Sequence, residues 1–381
     1  MRIAHVCAMM RPGTDGVTRV LYKIFDGAPS RSCQVMGIGA AVPRPGETSI
    51  PMAHVPSVPL PLQVSYRLAL PGSVFFARAL KGFKPDLIHL HSPCTLGFAA
   101  LRFAERHRLP VVATYHTHYP AYLPYYCVDW SSRLVWRLYR SLYNRVDRTL
   151  VPTEPVLQEL AGQGLRNLEC LPHGVDHGLF HPRYRSEAWR QMLGATKKSV
   201  LLFVSRLVWE KDLAVLARMF ELLKSRRTDF VMVVVGEGQA GPRLASMMPG
   251  AVFIGCQTGR ALSECYASSD IFVFPSTTET FGNVTVEAMA SGLACVAAAK
   301  GGAAGLIKDE VSGLLVPPGS PEDMAARVAQ LLDDPDRRRV LGEGAVRRAQ
   351  QFQWQDVLDR LFAIYREILA AAGRKADTRA A

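Results

Sequence analysis

Short runs of aliphatic and β-branched residues recur along the chain, separated by longer stretches whose apolar residues fall at helical spacing. In the first half, runs near residues 2–7, 87–91, 111–115, 148–151 and 168–171 predict buried strands. Helices are predicted between them, near 17–26, 72–82, 95–107, 131–145 and 154–161. The second half repeats the theme with strands near 199–204, 230–235, 251–254, 271–274, 294–297 and 313–316. Strands that alternate with helices predict a parallel, doubly wound sheet in each half, an α/β architecture. Residues 173–198, with Gly174, Gly178 and Pro182, lack strand periodicity and suit a linker between domains at 1–172 and 199–352. Beyond Gly319 the pattern is helical and breaks at Pro335. A last helix is expected from about Trp354 to Leu369 (residues 353–371), with 372–381 as a flexible tail.

Composition narrows the class. A chain of 381 residues with 49% hydrophobic content exceeds one ordinary core, so two domains are expected. No apolar run reaches the roughly 18 residues that a spanning helix needs. The eight cysteines are scattered without a C-x-x-C pair, which suits reduced core thiols in the cytoplasm. Charge is uneven: residues 1–175 hold 19 Lys and Arg against 10 Asp and Glu, the remainder 26 against 23. A basic first half suits an anionic membrane surface or an acidic substrate. Nucleic acid is not expected, since no zinc-finger, helix-turn-helix or RNA-binding sheet signature is present.

The most informative stretch is Glu279-Thr280-Phe281-Gly282-Asn283-Val284-Thr285-Val286-Glu287. It follows the strand-like Ile271-Phe272-Val273-Phe274 and enters a helix that stops at Ser291-Gly292. Amides from Phe281 to Val284 then become first-turn donors suited to a diphosphate. Glu279 and Glu287, beside a bound anion, suit hydroxyls of a sugar and a ribose. In Val204-Ser205-Arg206 through Lys211, a strand ends in a loop with two cations, where α/β sheets bind ligands. Arg206 can fork phosphate oxygens while Lys211 acts as a point charge. Gly236-Glu237-Gly238 lets the backbone approach a nucleotide, and a plain turn has the same appearance. Gly13-Thr14-Asp15-Gly16-Val17 forms another glycine loop after a strand, without the dinucleotide fingerprint.

Four histidines close strands: His89 and His91, His116 and His118. Residues two apart share a face, so these pairs suit metal ligands, but cysteine and carboxylate partners at ligand spacing are missing and no metal is expected. Tyr119, Tyr122, Tyr125 and Tyr126 follow, and Leu60 to Tyr66 is apolar. On 131–148, Arg133, Arg137, Arg140 and Asn144 share one face, opposite Leu134, Leu138 and Leu142. The coincidence of aromatics and cations suits membrane contact, and a solvated basic helix looks the same. Asp334-Pro335-Asp336 sits at a helix break and is expected to cap helices.

Taken in order, the Gly13–Val17 loop, Tyr115-His116-Thr117, Pro172-His173-Gly174-Val175-Asp176, Ser205-Arg206 with Lys211, and Glu279 through Glu287 resemble family 4 of the retaining, GT-B-type glycosyltransferases. A finer similarity, to the sulfoquinovosyl and mannosyl glycolipid-synthesising branch, rests on Val64 to Pro71 and Thr114 to Pro120. The resemblance implies two facing Rossmann-like domains across a deep cleft, and a last helix that returns to the first domain. It implies transfer from a UDP- or GDP-sugar to a hydroxyl, with a lipid such as diacylglycerol or a glycolipid as acceptor at the inner face of the cytoplasmic membrane. Donor contacts fall to Gly16, Arg206, Lys211, Gly236, Glu279, Thr280, Phe281, Gly282, Asn283, Val284 and Glu287, and the acceptor side to Asp15, His116 and Tyr119. Catalysis falls to His116, Arg206, Lys211 and Glu279, with His116 bonding a sugar hydroxyl and no cofactor or metal required. The rivals are a soluble saccharide, polysaccharide or lipopolysaccharide acceptor, a nucleotide-sugar epimerase, and an inactive sugar-nucleotide-binding module.

Overall fold

Seven parallel strands organise the first part of the chain and six the second. They were located in a computed structural model that describes residues 1–380 except 14, 45, 61–62 and 70–72. Side chains at 59–60, 63–68, 73–74, 77 and 374–380 also lie outside the description, as do Thr14 and most of the apolar segment 60–71. The chain divides into two units: Met1–Pro120 with Trp130–Pro172 and Gln355–Ala381, and Ala121–Asp129 with His173–Trp354.

In the first unit the strand order is Met52–His54, Gln34–Gly39, Arg2–Val6, Leu87–Leu90, Val111–Thr114, Arg148–Val151, Leu168–Cys170. The order runs backward from Arg2–Val6 on one side and forward from Leu87–Leu90 on the other, so the topological switch point lies between these two strands. Two of these strands, and the antiparallel hairpin Ser57–Leu60 with Gln63–Ala69, fall where no strand was expected. Gln34–Gly39 escaped because Gly37 and Gly39 dilute its β pattern. Close packing requires glycine at Gly39, where a Cβ would lie 2.8 Å from the Cys7 carbonyl oxygen, and at Gly37 a Cβ would press on the flexible Met52 side chain, 2.3 Å from its sulfur.

The second sheet has the order Val252–Phe253, Phe230–Val235, Ser199–Val204, Ile271–Phe274, Ala294–Ala298, Leu314–Val316. Its switch point lies between Ser199–Val204 and Ile271–Phe274. Both strands are buried on both faces, with Val200 to Phe203 and Ile271 to Phe274 all at 0% exposure, which is why each is an unbroken apolar run. Their ends lead into the loops that carry Arg206, Lys211 and Glu279.

The last helix spans Trp354–Ala380, longer than the expected stop near Leu369 and through the expected tail. From Gln355 onward it belongs to the first unit, where Tyr365 bonds His89 and Arg360 pairs with Glu169. Asp334 caps helix Pro335–Ala349 by accepting from the Arg337 amide at 2.9 Å. All eight cysteines are free; Cys127, Cys170 and Cys256 are exposed, so the expectation of core thiols fails for these three. Among the described residues no helix is long and apolar enough to cross a membrane.

Candidate active site

The switch point of the second sheet gathers most of the expected donor residues. Lys211 is buried at 6% exposure, and its Nζ donates to Glu279 Oε1 at 2.6 Å. The loop holding Lys211 is fixed from several sides. Asp212, at φ 55°, accepts from the Thr277 amide at 2.8 Å, the Thr277 hydroxyl at 2.9 Å and the Tyr125 hydroxyl at 2.6 Å. The buried Glu210 accepts from Tyr126 at 3.1 Å, and its carbonyl accepts from the Thr278 hydroxyl at 2.8 Å. Burial, aided by Asp212, pushes the Tyr125 hydroxyl up to about 12, so it remains a donor at neutral pH. Sequence reasoning missed Glu210, Asp212, Tyr125, Tyr126 and Thr277 in this role; Asp212 beside Lys211 was the available signal.

Glycines set how closely the loops approach. A Cβ on Gly236 would lie 1.9 Å from the Ser205 carbonyl oxygen, so the Gly236 turn is pressed against the Arg206 loop. Gly302, outside the expected set, donates its amide to the Glu279 carbonyl at 2.7 Å, and a Cβ there would lie 2.1 Å from the Phe281 carbonyl oxygen. Gly282, left-handed at φ 92°, opens helix Asn283–Ala290, whose first turn no side chain caps. The Thr285 amide donates to the Gly282 carbonyl at 2.9 Å, which leaves the Asn283 and Val284 amides open to an anion.

Several expected contacts are restricted to the backbone. The Phe281 side chain is core at 1% exposure, beside His173 and Phe352, and Thr280 is buried at 5%. Asn283 Oδ1 is 3.2 Å from His173 Nδ1, and Val284 is half-buried. Glu287 is buried at 5%, with Oε2 accepting from the Tyr266 hydroxyl at 3.1 Å. Arg206 lies on the exposed side of its loop.

In the first unit, the switch point holds histidines. His5 pairs in register with His89 across adjacent strands. His5 Nδ1 is 3.0 Å from His91 Nε2, and His91 Nδ1 is 2.8 Å from His116 Nε2. His89 bonds Tyr365 at 2.6 Å through Nδ1 and Thr114 at 2.7 Å through Nε2. Burial holds His5 down to about 3 and His89 and His91 well below the usual histidine range. His5, His89 and His91 offer ligand atoms within 4.8 Å of one another, but an ion there would have to displace a hydrogen bond from His89. His118 faces away from this group, toward Tyr115 and Glu159. His5 and Tyr365 were missed from the sequence; a lone histidine inside an apolar strand was the sign.

Asp15 and Gly16 stand at the start of the first helix of this unit. Asp15 caps helix Gly16–Gly27, its Oδ1 accepting from the Thr18 amide at 2.8 Å, and Gly16 is the first residue of that helix. The cap puts a carboxylate at the helix end where a phosphate was expected to approach Gly16. Tyr119 is 38% exposed and lines an apolar groove of about 190 Å³ with Pro93, Phe98, Val135, Leu138 and Tyr139. On helix Ser132–Tyr143 only Leu142 of the three leucines is core: Leu134 is 56% and Leu138 47% exposed, beside Arg133 and Arg137. Arg140 and Asn144 instead bond the carbonyls of Gln163 and Gly164.

The sequence and fold match those of known proteins. A family model described as Glycosyl transferases group 1 matches residues 185–348, and one described as Glycosyltransferase Family 4 matches 14–179. Sulfoquinovosyl transferase SQD2 of Arabidopsis thaliana is 35% identical over 320 residues, 81% of this chain and 60% of that protein. A GDP-mannose-dependent alpha-mannosyltransferase of Mycobacterium tuberculosis is 34% identical over 382 residues, 97% of both chains. The crystal structure of Anabaena Alr3699/HepE in complex with UDP and glucose matches the fold with a TM-score of 0.78 at 21% identity, over 96% of this chain and 100% of that one. With two parallel sheets of this order and a relative aligned along nearly its whole length, the chain belongs to glycosyltransferase family 4 and is a glycosyltransferase of the GT-B fold.

Proposed function

We propose that the enzyme moves a sugar from a UDP- or GDP-sugar to a hydroxyl of a membrane lipid, diacylglycerol or a glycolipid, with retained anomeric configuration and no metal. The observation that carries this reading is the buried Lys211–Glu279 pair at the second sheet's switch point. An ammonium has three donors; one goes to Glu279, which leaves two for phosphate oxygens. Glu279 keeps an oxygen for the sugar's hydroxyls. Arg206 and the open amides of helix Asn283–Ala290 add positive potential where the diphosphate would gain charge as it leaves. Retention then follows from attack on the face the diphosphate leaves, with its oxygen accepting the acceptor's proton. The mannosyl relative's name specifies GDP-mannose and the structural neighbour carries UDP, which keeps both bases in the proposal.

The lipid acceptor is supported by the first unit's surface. The apolar groove walled by Tyr119 suits an acyl chain. Beside it, Trp130 at 79% exposure, Leu134 and Leu138 form an apolar ridge flanked by Arg133 and Arg137. A second groove, of about 520 Å³, is lined by Arg133, Arg137 and Arg140. Apolar residues beside cations suit the interface of an anionic membrane, which supports a position at the inner face of the cytoplasmic membrane.

The test is incubation of purified protein with radiolabelled UDP- and GDP-sugars and either lipid extract or oligosaccharides. Label in the organic phase, stoichiometric nucleoside diphosphate and an unchanged rate in EDTA are expected. Label confined to the aqueous phase overturns the lipid acceptor. Loss of activity in EDTA with recovery on manganese overturns the metal-free chemistry.

A further inference from the structure

Lys211 sits among carboxylates. The loops 205–212 and 275–282 carry Glu210, Asp212 and Glu279 against two cations, Arg206 and Lys211. That balance opposes the diphosphate that Lys211 is to hold. Glu279 is answered by Lys211 itself, at 2.6 Å. Among the described residues neither Glu210 nor Asp212 has a cation partner, and phenols hold them instead. The Tyr125 hydroxyl donates to Asp212 Oδ1 at 2.6 Å, and the Tyr126 hydroxyl to Glu210 Oε2 at 3.1 Å.

Both carboxylates depart from their ordinary use. Glu210 is 4% exposed, and a carboxylate buried so far is costly without a donor. Asp212 precedes helix Leu213–Lys224, where an aspartate ordinarily caps the first turn, yet its side chain makes no cap bond. Its Oδ2 goes to the Thr277 amide and hydroxyl, and its Oδ1 to Tyr125. A hydroxyl dipole aimed at a carboxylate offsets part of its field. With both acids held this way, the Lys211 ammonium pairs with Glu279 alone among the described residues. Both tyrosines stand on one short turn, Leu123–Tyr126, within the segment Ala121–Asp129 of the second unit. No residue of that segment is buried, so it can lift away with little loss of apolar packing.

We infer that Tyr125 and Tyr126 are positioning residues that screen Asp212 and Glu210, so that docking of Ala121–Asp129 and binding of a nucleoside diphosphate at Lys211 strengthen each other. This deepens the function proposed above and rests on it for the diphosphate. Screening acts on the charge the ligand meets, and docking keeps the two acids from competing with phosphate for the ammonium. The linkage is reciprocal: a bound diphosphate holds the segment down by the same free energy with which the docked segment tightens the diphosphate. Once the segment lifts, both acids recover their full field, which favours departure of the spent nucleotide.

The test is calorimetric titration of the purified full-length protein with UDP and with GDP, with no acceptor present. Tyr125→Phe and Tyr126→Phe should each raise the Kd of the nucleotide that the parent binds by about tenfold, the scale for one hydrogen bond to a charged group. Removing the charge together with the phenol, in Tyr125→Phe/Asp212→Asn and in Tyr126→Phe/Glu210→Gln, should return the Kd toward the parental value. Double variants no tighter than the singles overturn the screening, because a merely structural defect is not repaired by deleting a charge. Parental affinity in both single variants overturns it equally. Two independent phenol–carboxylate pairs keep the test decisive where one variant fails to fold. In the parent, the bound nucleotide should slow hydrogen exchange across 121–129, and an unchanged rate there overturns the linkage. A parent that binds neither nucleotide refutes the donor reading itself, so the two failures are distinguishable.

Discussion

Lys211 has a side chain only 7% exposed, so Glu279 at 2.6 Å replaces most of the water it gave up. Lys211→Ala should lower kcat/KM by about 10²–10³, the scale for losing one fixed stabiliser of a developing negative charge. Its Tm should change little, since Glu279 is 20% exposed and can be solvated. Steady-state kinetics beside thermal denaturation checks both; full activity in the variant would sink the assignment. The placement of Lys211, Arg206 and Glu279 on loops at strand ends was legible in the sequence because they follow apolar strands. The partners that hold their loop were not, because Tyr125 and Asp212 lie 87 residues apart and no spacing rule links them. Burial of His5, His89 and His91 also has a consequence at this scale. Each takes up a proton near pH 6.5 when unfolded but resists it when folded, His5 down to about 3. Their contribution to stability is thus complete above about pH 6.5 and is lost progressively as pH falls below it. Tm should fall as pH is lowered from 7 to 4.5, with a shallower slope in His5→Leu, and parallel slopes in the two proteins would contradict this.

At the scale of elements, the parallel strands were legible because burial on both faces makes them continuous apolar runs. Helix Ser132–Tyr143 was only half legible: its periodicity was plain, but which leucines face the core depends on the neighbours that cover them. Helix Gly301–Leu306 had no expected role, yet it presses on the Glu279–Gly282 loop through glycine. Gly302→Ala would place a methyl 2.1 Å from the Phe281 carbonyl oxygen, so the Glu279–Gly282 loop must shift. A misplacement of about 1 Å can cost about 10²-fold in rate. The variant should lose at least tenfold in kcat/KM while its far-UV circular dichroism matches the parent. Activity at the parental level would show that the close approach carries no catalytic consequence.

For the whole molecule, two domains were legible from length and from the repeated alternation of strand and helix. The assignment of Ala121–Asp129 to the second unit was not, since it rests on Tyr125 and Tyr126 bonding residues far along the chain. The first unit is completed by residues 355–380, which bury Leu358, Leu361, Phe362, Ile364 and Tyr365 against it. Burial of a large apolar side chain contributes about 1.5–3 kcal/mol, so five such residues match the roughly 5–15 kcal/mol that stabilises a whole domain. Deletion of 355–381 should leave the first unit protease-sensitive and prone to aggregate, while a fragment near His173–Trp354 survives digestion; a truncated chain as resistant as the parent would refute this.

That final helix makes the order of assembly differ from the order of synthesis. A ribosome emits the opening strands early, then spends roughly 180 codons on the second unit before their missing cover emerges. At about 5–20 residues per second, the nascent first half waits on the order of ten to forty seconds with its greasy flank unprotected, an interval in which chaperones would find a client.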